Sequence, residues 1–150
     1  MATGSSGNYF VGNSMTHSGD GFFLTDRLNG GFSEKNPVTK FDGSCDRNII
    51  AYGDGSWSTA NAFEGTFSFG NVYYRNRADD SGFGFWLGYS SDALLLDNEI
   101  VRNQNDAIGF WRVRGGKGRH HHRAAHAFAE HIDGQSGMRD FHDIDEIGEI

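Results

Sequence analysis

The chain has few of the residues that cross-link or interrupt a fold. It contains one cysteine, Cys45, and one proline, Pro37. A single cysteine excludes an intramolecular disulfide and a metal site built from clustered cysteines. No apolar run approaches the roughly 18 residues that a membrane-spanning helix needs, so no membrane span is predicted. The first residues also lack the charged and then apolar pattern of a secretory signal.

Positive charge is also scarce. The 13 lysine and arginine residues face 20 acidic ones, which gives a net charge of −7. This balance argues against non-specific nucleic-acid binding, and no nucleic-acid partner is predicted. Glycine and phenylalanine are abundant instead, with 22 and 13 residues in a chain of 150. The chain therefore suits one domain with an aromatic core rather than a disordered segment.

A repeat of about 22 to 25 residues runs through the first two thirds of the chain. The segment that starts at Ser5 aligns without a gap with the segment that starts at Ser90, and further copies start at Ser44 and Ser68. The first copy is longer because residues 25–43 intrude. Short apolar runs between Asn and Gly turns predict parallel strands, each copy stacked about 4.8 Å from the next. Asn and Gly interrupt every window that could hold a helix before residue 112.

Within each copy a small residue precedes a phenylalanine, which we expect to point inward and to contribute roughly 1.5–3 kcal/mol by burial. The members of this column are Phe22, Phe63, Phe85 and Phe110. Asparagine tolerates a left-handed bend and can bond from copy to copy as a ladder, which we predict for Asn13, Asn71 and Asn98. A β-sandwich with coincidental Gly-Phe pairs is the alternative, but it does not explain two aligned blocks in each copy.

The pattern strand–Asn–apolar–Arg-Asn–Gly-aromatic is clearest in residues 71–86 and 98–111. It resembles the right-handed parallel β-helix repeat proteins, which include the pectate-lyase-like and NosD-like carbohydrate-binding and sugar-hydrolase folds. The resemblance covers residues 5–111. It implies an all-β, right-handed parallel β-helix of about four rungs in residues 1–111, a polysaccharide or oligosaccharide partner, and an extracytoplasmic or secreted location, although no signal peptide is present. The catalytic patterns of pectate lyases and polygalacturonases are not recognisable, so no catalytic residues follow from it.

The composition changes after residue 111. All asparagines lie at or before Asn105, whereas every histidine except His17 lies after Arg119. Residues 112–150 are therefore predicted to be a C-terminal extension, poorly ordered or with a short helix at 123–132, that does not continue the repeat. Two interpretations stay open: a linker whose helix caps the last rung, or an out-of-frame translation of a longer β-helix gene. The chain as a whole could be a fragment.

The residue after each inward phenylalanine should point outward, because side chains alternate along a strand. This outer column reads Phe23, Glu64, Trp86 and Trp111, with Trp57 and Tyr89 expected to border the same face. Aromatic rings beside a carboxylate suit a sugar, since the rings pack on pyranose faces and the acid bonds hydroxyls or transfers protons. The alternative is that the aromatic residues only cover the sheet and that Glu64 is solvated.

A glycosidase normally needs two carboxylates. The candidates for catalysis are Glu64 and, in the turn before Trp57, Asp54; Asp79, Asp80 and Asp92 are alternatives to Asp54. A turn aspartate more often caps the backbone. No cofactor or metal site is predicted, since the Asp79-Asp80 pair alone is too little to define a Ca²⁺ site.

These patterns predict a polysaccharide-binding protein and leave lyase, hydrolase or epimerase activity open. The alternative is a non-catalytic scaffold, or an incomplete piece of a longer β-helix protein. The two are separated by whether any polysaccharide binds.

Overall fold

The computed structural model describes residues 1–25, 45–90 and 92–109, and the strands at 126–128 and 131–132. These residues form short strands joined by turns and bends, with no helix among them. The strands are β1 (Ala2–Thr3), β2 (Tyr9–Val11), β3 (Phe22–Thr25), β4 (Ile49–Ala51), β5 (Asn61–Thr66), β6 (Val72–Tyr74), β7 (Phe83–Trp86), β8 (Leu94–Leu96), β9 (Glu99–Ile100), β10 (Ile108–Gly109), β11 (His126–Phe128) and β12 (His131–Ile132).

The strands form two five-stranded parallel sheets. The first sheet has the order β1-β3-β5-β7-β10, and the second has the order β11-β8-β6-β4-β2. From β1 to β8 the chain enters the two sheets alternately, so each strand pairs with the strand two places later in the sequence. Parallel neighbours need a crossover connection, and here the crossover includes a strand of the other sheet. The fold of the described residues is therefore all-β with parallel sheets.

The chain forms a third, narrower ladder after it leaves a strand of the second sheet and before it enters the next strand of the first sheet. Isolated parallel bridges join Ser14 to Asp54, Asp54 to Arg77 and Arg77 to Glu99. Strand β9, which contains Glu99, then pairs with β12. Residues in equivalent positions of successive circuits lie 40, 23 and 22 residues apart. The long first interval includes residues 26–44, which lie outside the described part.

The phenylalanine column is confirmed for its first three members. Phe22 pairs with Phe63 and Phe63 with Phe85, and all three side chains are buried. The rings of Phe63 and Phe85 stack with their centroids 5.0 Å apart, and those of Phe22 and Phe63 lie 6.5 Å apart. Phe110 lies outside the described residues, and the register gives its predicted place to Ile108, the partner of Phe85.

The second sheet closes the core from the other side. Its inward column contains Phe10, Ile50, Tyr73 and Leu95, of which the last three are fully buried. The ring of Tyr73 meets the rings of Phe63 and Phe85 edge-on, at 6.3 and 5.4 Å. Side chains from both sheets thus form one hydrophobic cluster between them.

Asparagine side chains form ladders between circuits, but there are two of them and their members differ from the predicted Asn13, Asn71 and Asn98. Asn8, Asn48 and Asn71 form one, in which the Nδ2 atoms of Asn8 and Asn48 donate to the Oδ1 of the next asparagine at 3.2 and 3.1 Å. Asn76 and Asn98 form the other, with the same bond at 3.0 Å. The prediction that Asn71 and Asn98 share a ladder is therefore wrong. Two of the copies carry asparagines five residues apart, Asn8 with Asn13 and Asn71 with Asn76, so one asparagine per copy does not define a single column.

The backbone takes a left-handed conformation directly before these ladder residues. Arg47, Arg75 and Asp97 have φ values of 53°, 51° and 50°, and an asparagine follows each of them. Such angles are unfavourable for residues other than glycine. At these three bends the hydrogen bonds of the following asparagine side chain offset the cost.

Two predictions about the copies need correction. The second copy was aligned from Ser44, but Cys45 occupies the equivalent place: its Sγ accepts from the Ser5 backbone N–H, as the Ser90 hydroxyl does from Ser68. For the C-terminal part, the sequence predicts an extension that does not continue the repeat and is either poorly ordered or has a short helix at 123–132. Within that stretch β11 instead pairs in parallel with β8, and β12 pairs with β9. The rest of the predicted tail lies outside the described residues.

Candidate functional site

The predicted outer column is present on the first sheet. Phe23 pairs with Glu64 and Glu64 with Trp86 in the parallel register. All three side chains are half-buried, while the preceding phenylalanine of each strand is buried. The register and the strand alternation therefore place residues 64 and 86 next to each other on the outer face of the sheet.

The next place in this column is taken by Gly109 rather than by Trp111. Gly109 pairs with Trp86, and Trp111 lies outside the described residues. A Cβ atom at Gly109 would lie 2.6 Å from Cε3 of Trp86, and one at Gly88 would lie 2.8 Å from its Nε1. The indole thus lies across the sheet above two glycines, and a larger side chain at Gly109 would displace it.

Trp86 forms one wall of an open cleft of about 360 Å³. The ring of Phe83 contacts the indole, with the ring centroids 5.2 Å apart. The lining residues are Thr59, Ala60, Asn61, Gly82, Phe83, Trp86 and Asn105. The lining thus combines two aromatic rings with two asparagines.

Glu64 does not line the cleft, but it is hydrogen-bonded to Asn61, which does. The Oγ1 of Thr66 donates to Oε1 of Glu64 at 2.7 Å, and Nδ2 of Asn61 donates to Oε2, also at 2.7 Å. The same Nδ2 atom donates to Oδ1 of Asp20 at 2.9 Å. Two carboxylates therefore share one amide nitrogen of a residue that lines the cleft.

This environment raises the pKa of Glu64. Partial burial is the largest cause, because it disfavours the charged form, and the negative charge of Asp20 adds to it. The hydrogen bonds from Thr66 and Asn61 act in the opposite direction, since they stabilise the carboxylate. Glu64 consequently holds a proton at higher pH than an exposed glutamate does, which suits a proton donor.

Asp20 was not singled out from the sequence, although the repeat contained the signal. Asp20-Gly21-Phe22 occupies the register of Asn61-Ala62-Phe63, so both polar residues lie two places before an inward phenylalanine. The backbone N–H of Asn61 also donates to Asp20 Oδ1 at 3.2 Å. A search of each copy for polar residues at this place would have found the pair.

Asp54, the predicted second acid, lies on the third ladder, where it bridges Ser14 and Arg77. Its Oδ1 accepts from the backbone N–H of Ser56 at 3.0 Å, which is the turn-capping role of an aspartate. It does not line the cleft. The structure therefore does not bring Asp54 together with Glu64 in one site.

Of the three alternative acids, Asp79 and Asp80 lie in ion pairs, whereas Asp92 occupies a left-handed bend with a φ of 53° and does not line the cleft. Asp79 is fully buried and accepts from Arg77 Nε at 2.6 Å and from the Val101 backbone N–H at 3.1 Å. Asp80 pairs with Arg102, whose Nη2 lies 2.7 Å from its Oδ2. Within the described ranges no three His, Cys, Asp or Glu side chains are grouped to hold a metal ion.

The other two predicted sugar-binding aromatics lie apart from the cleft. Trp57 stacks on His17 with the ring centroids 5.2 Å apart, and the guanidinium of Arg77 lies 5.6 Å from its ring. Tyr89 stacks on Phe67 at 4.5 Å. Both Trp57 and Tyr89 occupy left-handed bends, with φ values of 56° and 57°, and neither lines the cleft.

Comparisons with protein-family models, with curated proteins and with solved structures find no match to this chain. Among the described residues there is also no helix of the length and apolarity needed to cross a membrane.

Proposed function

We propose that the chain is a right-handed parallel β-helix that binds a polysaccharide or oligosaccharide in the cleft beside Trp86. The β-helix is supported by the alternation of the chain between two parallel sheets and by the unbroken register of successive circuits. A long glycan suits such a scaffold, because stacked strands offer an extended surface.

The observation that carries the binding proposal is the position of the indole. Trp86 lies over Gly88 and Gly109, is half-buried and lines the cleft, so part of its ring is accessible to a ligand. The C–H face of a sugar ring is flat and apolar and packs on such a surface. Asn61 and Asn105, also in the lining, offer amide groups to sugar hydroxyls.

Acid-base catalysis is the second candidate function, and the Asp20–Asn61–Glu64 group favours it. A protonated Glu64 could donate to a glycosidic oxygen, and Asp20 is the nearby second carboxylate that glycoside cleavage requires. Activity would then be lost in Glu64→Gln while polysaccharide binding is retained. Turnover that survives this substitution would remove Glu64 from the proposal.

Binding is tested by affinity gel electrophoresis of the purified chain through gels that contain neutral or acidic polysaccharides. We expect at least one polymer to retard the protein and Trp86→Ala to weaken binding by about tenfold, the effect of losing roughly 1.4 kcal/mol of ring packing. Trp57→Ala is the matched control, because Trp57 is 43% exposed but lies outside the cleft.

Equal weakening by both tryptophan substitutions would contradict the site. Retardation by no polymer would contradict the function, and would favour the alternative that this chain is a non-catalytic scaffold or part of a longer β-helix.

A further inference from the structure

We propose that the outer face of the second sheet binds a second copy of this chain, and that the two copies pack face to face as a two-fold symmetric dimer. The surface is formed by the outward side chains of β2, β4, β6 and β8, and we call it the apolar face. It belongs to a different sheet from the cleft beside Trp86. The proposal therefore does not depend on glycan binding.

The apolar face consists of the residues on either side of each inward side chain of the second sheet, because side chains alternate along a strand. In the parallel register they form two columns: Tyr9, Ile49, Val72 and Leu94, and Val11, Ala51, Tyr74 and Leu96. The only polar side-chain groups among them are two tyrosine hydroxyls, whereas the outer face of the first sheet carries Glu64 and Thr66.

This face is accessible in the described part of the chain. Tyr9 and Val11 are 75% and 57% exposed, and the other members are half-buried except Ala51, which is buried. A contiguous apolar surface of this kind is typical of an interaction site between proteins.

Two unpaired charges on one flank of the apolar face identify the partner. Arg47 and Asp92 each lie two residues before a member of the first column, and Gly70 occupies the equivalent place between them. Neither Arg47 nor Asp92 has an ion-pair partner among the described residues. The neighbouring Asp46 accepts from the Phe69 backbone N–H at 2.9 Å.

These charges become complementary when a second copy is rotated about β6. Strands β4 and β8 are the two neighbours of β6 in the sheet, so a two-fold axis along β6 sets β4 of one copy over β8 of the other. Arg47 of each copy then faces Asp92 of the other, and the contact occurs twice, as in any isologous interface. Packed sheets lie about 10 Å apart, and the outward apolar side chains of both copies would fill this space.

The other flank of the apolar face tolerates the same rotation. Arg75 lies at the end of β6 and would face its own copy across the axis. Its Nε lies 3.4 Å from Oδ2 of Asp97, and its guanidinium lies 5.0 Å from the centre of the Tyr74 ring. The negative charge of Asp97 offsets the repulsion between the two arginines.

Sedimentation of the purified chain over a range of micromolar concentrations tests the proposal. We expect a species of twice the chain mass of 16.6 kDa. Val72→Lys should make the protein monomeric, because each introduced ammonium group would face its copy across the axis. Trp57→Lys is the matched control and should leave the dimer intact, since Trp57 is 43% exposed and lies outside the apolar face.

Exchange of the flanking charges tests the orientation of the two copies. Arg47→Asp and Asp92→Arg should each weaken the dimer by about tenfold, because each sets like charges against each other twice. The double variant Arg47→Asp, Asp92→Arg should dimerise within about threefold of wild type, since the opposite charges face each other again. Both positions lie outside the hydrophobic core, so this comparison stands even if Val72→Lys does not fold.

Three results would overturn the proposal. A double variant as weak as the single variants would show that Arg47 does not face Asp92 of the other copy. A dimer that Val72→Lys leaves intact would show that another surface pairs. A wild-type protein that is monomeric at every concentration, and that Val72→Lys destabilises more than Trp57→Lys does, would show that the chain's own residues cover the face.

Discussion

The buried hydroxyl of Tyr73 destabilises the centre of the fold. Its side chain is fully buried, and its hydroxyl is the one buried side-chain polar atom in the described residues that has no hydrogen-bond partner. The hydroxyl lies against Gly65, where an added Cβ atom would be 2.6 Å from it. Burial raises the pKa of Tyr73, so its hydroxyl is neutral at neutral pH.

We predict that Tyr73→Phe raises the free energy of unfolding by about 1 kcal/mol, because it removes a buried hydroxyl that lacks a partner and keeps the ring contacts. Urea denaturation followed by tryptophan fluorescence measures the change. Tyr9→Phe is the control: Tyr9 is 75% exposed, so this substitution should have little effect. A loss of stability in Tyr73→Phe would mean that the hydroxyl has a partner.

Glu64 permits a prediction about pH at the same scale. Its raised pKa means that the folded chain binds this proton more tightly than the unfolded chain does. The contribution of Glu64 to stability therefore increases as the pH falls through its folded pKa, and it is smallest above that pKa.

We predict that Asp20→Asn lowers the pKa of Glu64, because it removes the like charge and leaves burial as the main cause of the shift. A ¹³C NMR titration of the glutamate carboxyl carbons in both proteins measures this directly. The description of the site would be contradicted by a Glu64 that titrates like a glutamate in an unstructured peptide.

At the scale of elements, the asparagine ladders hold successive circuits together. The Asn76 side chain bonds two backbone groups: its Oδ1 accepts from the Gly53 N–H at 2.9 Å, and its Nδ2 donates to the Ile50 carbonyl at 2.9 Å. The backbone N–H of Asn76 in turn donates to Asn98 Oδ1 at 2.8 Å. The strands themselves are only two to six residues long. Buried side-chain amides therefore supply hydrogen bonds at the bends, where the strand ladders stop.

We predict that Asn76→Ala lowers the free energy of unfolding by about 2–3 kcal/mol, since it leaves the Gly53 N–H and the Ile50 carbonyl without these partners in the interior. Asn8→Ala should change it by less than about 0.5 kcal/mol, because the Asn8 side chain is exposed at the end of its ladder. Thermal and urea unfolding of the two variants should separate them clearly. Equal effects would show that the ladder bonds do not stabilise the interior.

Much of the element pattern could be predicted because each circuit repeats a simple code. The small residue before the inward ring is an example: a Cβ at Gly21 or Gly84 would overlap the backbone or side chains of the adjacent circuit. The sequence alignment of the copies was wrong where equivalent positions share a chemical property but not the same amino acid. Cys45 stands where serine was expected and Ile108 where phenylalanine was expected, because a thiol can bond like a hydroxyl and any large apolar side chain fills the interior.

Strands β11 and β12 could not be predicted for a related reason. Parallel pairing uses only backbone groups, so a change of composition need not end a sheet. The histidine-rich sequence has none of the Asn and Gly signals of the earlier circuits, yet His126–Phe128 extends the second sheet.

At the scale of the whole molecule, the chain presents different chemistry on each ladder. Glu64, Trp86 and Asp20 lie along the first sheet, whereas Asp54 and Arg77 lie on the third ladder. The sequence placed Glu64 beside Trp86 correctly, because strand register depends only on the repeat. It did not separate Asp54 from them, since the assignment of a residue to a ladder depends on the left-handed bends, and these are occupied by residues as different as Arg47, Trp57 and Asp80.

The stacking of successive circuits is the claim on which the site depends, because the register that stacks Phe63 on Phe85 also sets Glu64 beside Trp86. Nuclear Overhauser contacts between the ring protons of these two phenylalanines test it most directly, in a sample in which only phenylalanine rings carry protons. With the ring centroids 5.0 Å apart, we predict a strong cross-peak between Phe63 and Phe85 and a weaker one between Phe22 and Phe63. Assigned spectra with no cross-peak between Phe63 and Phe85 would contradict the fold and remove the basis of the cleft.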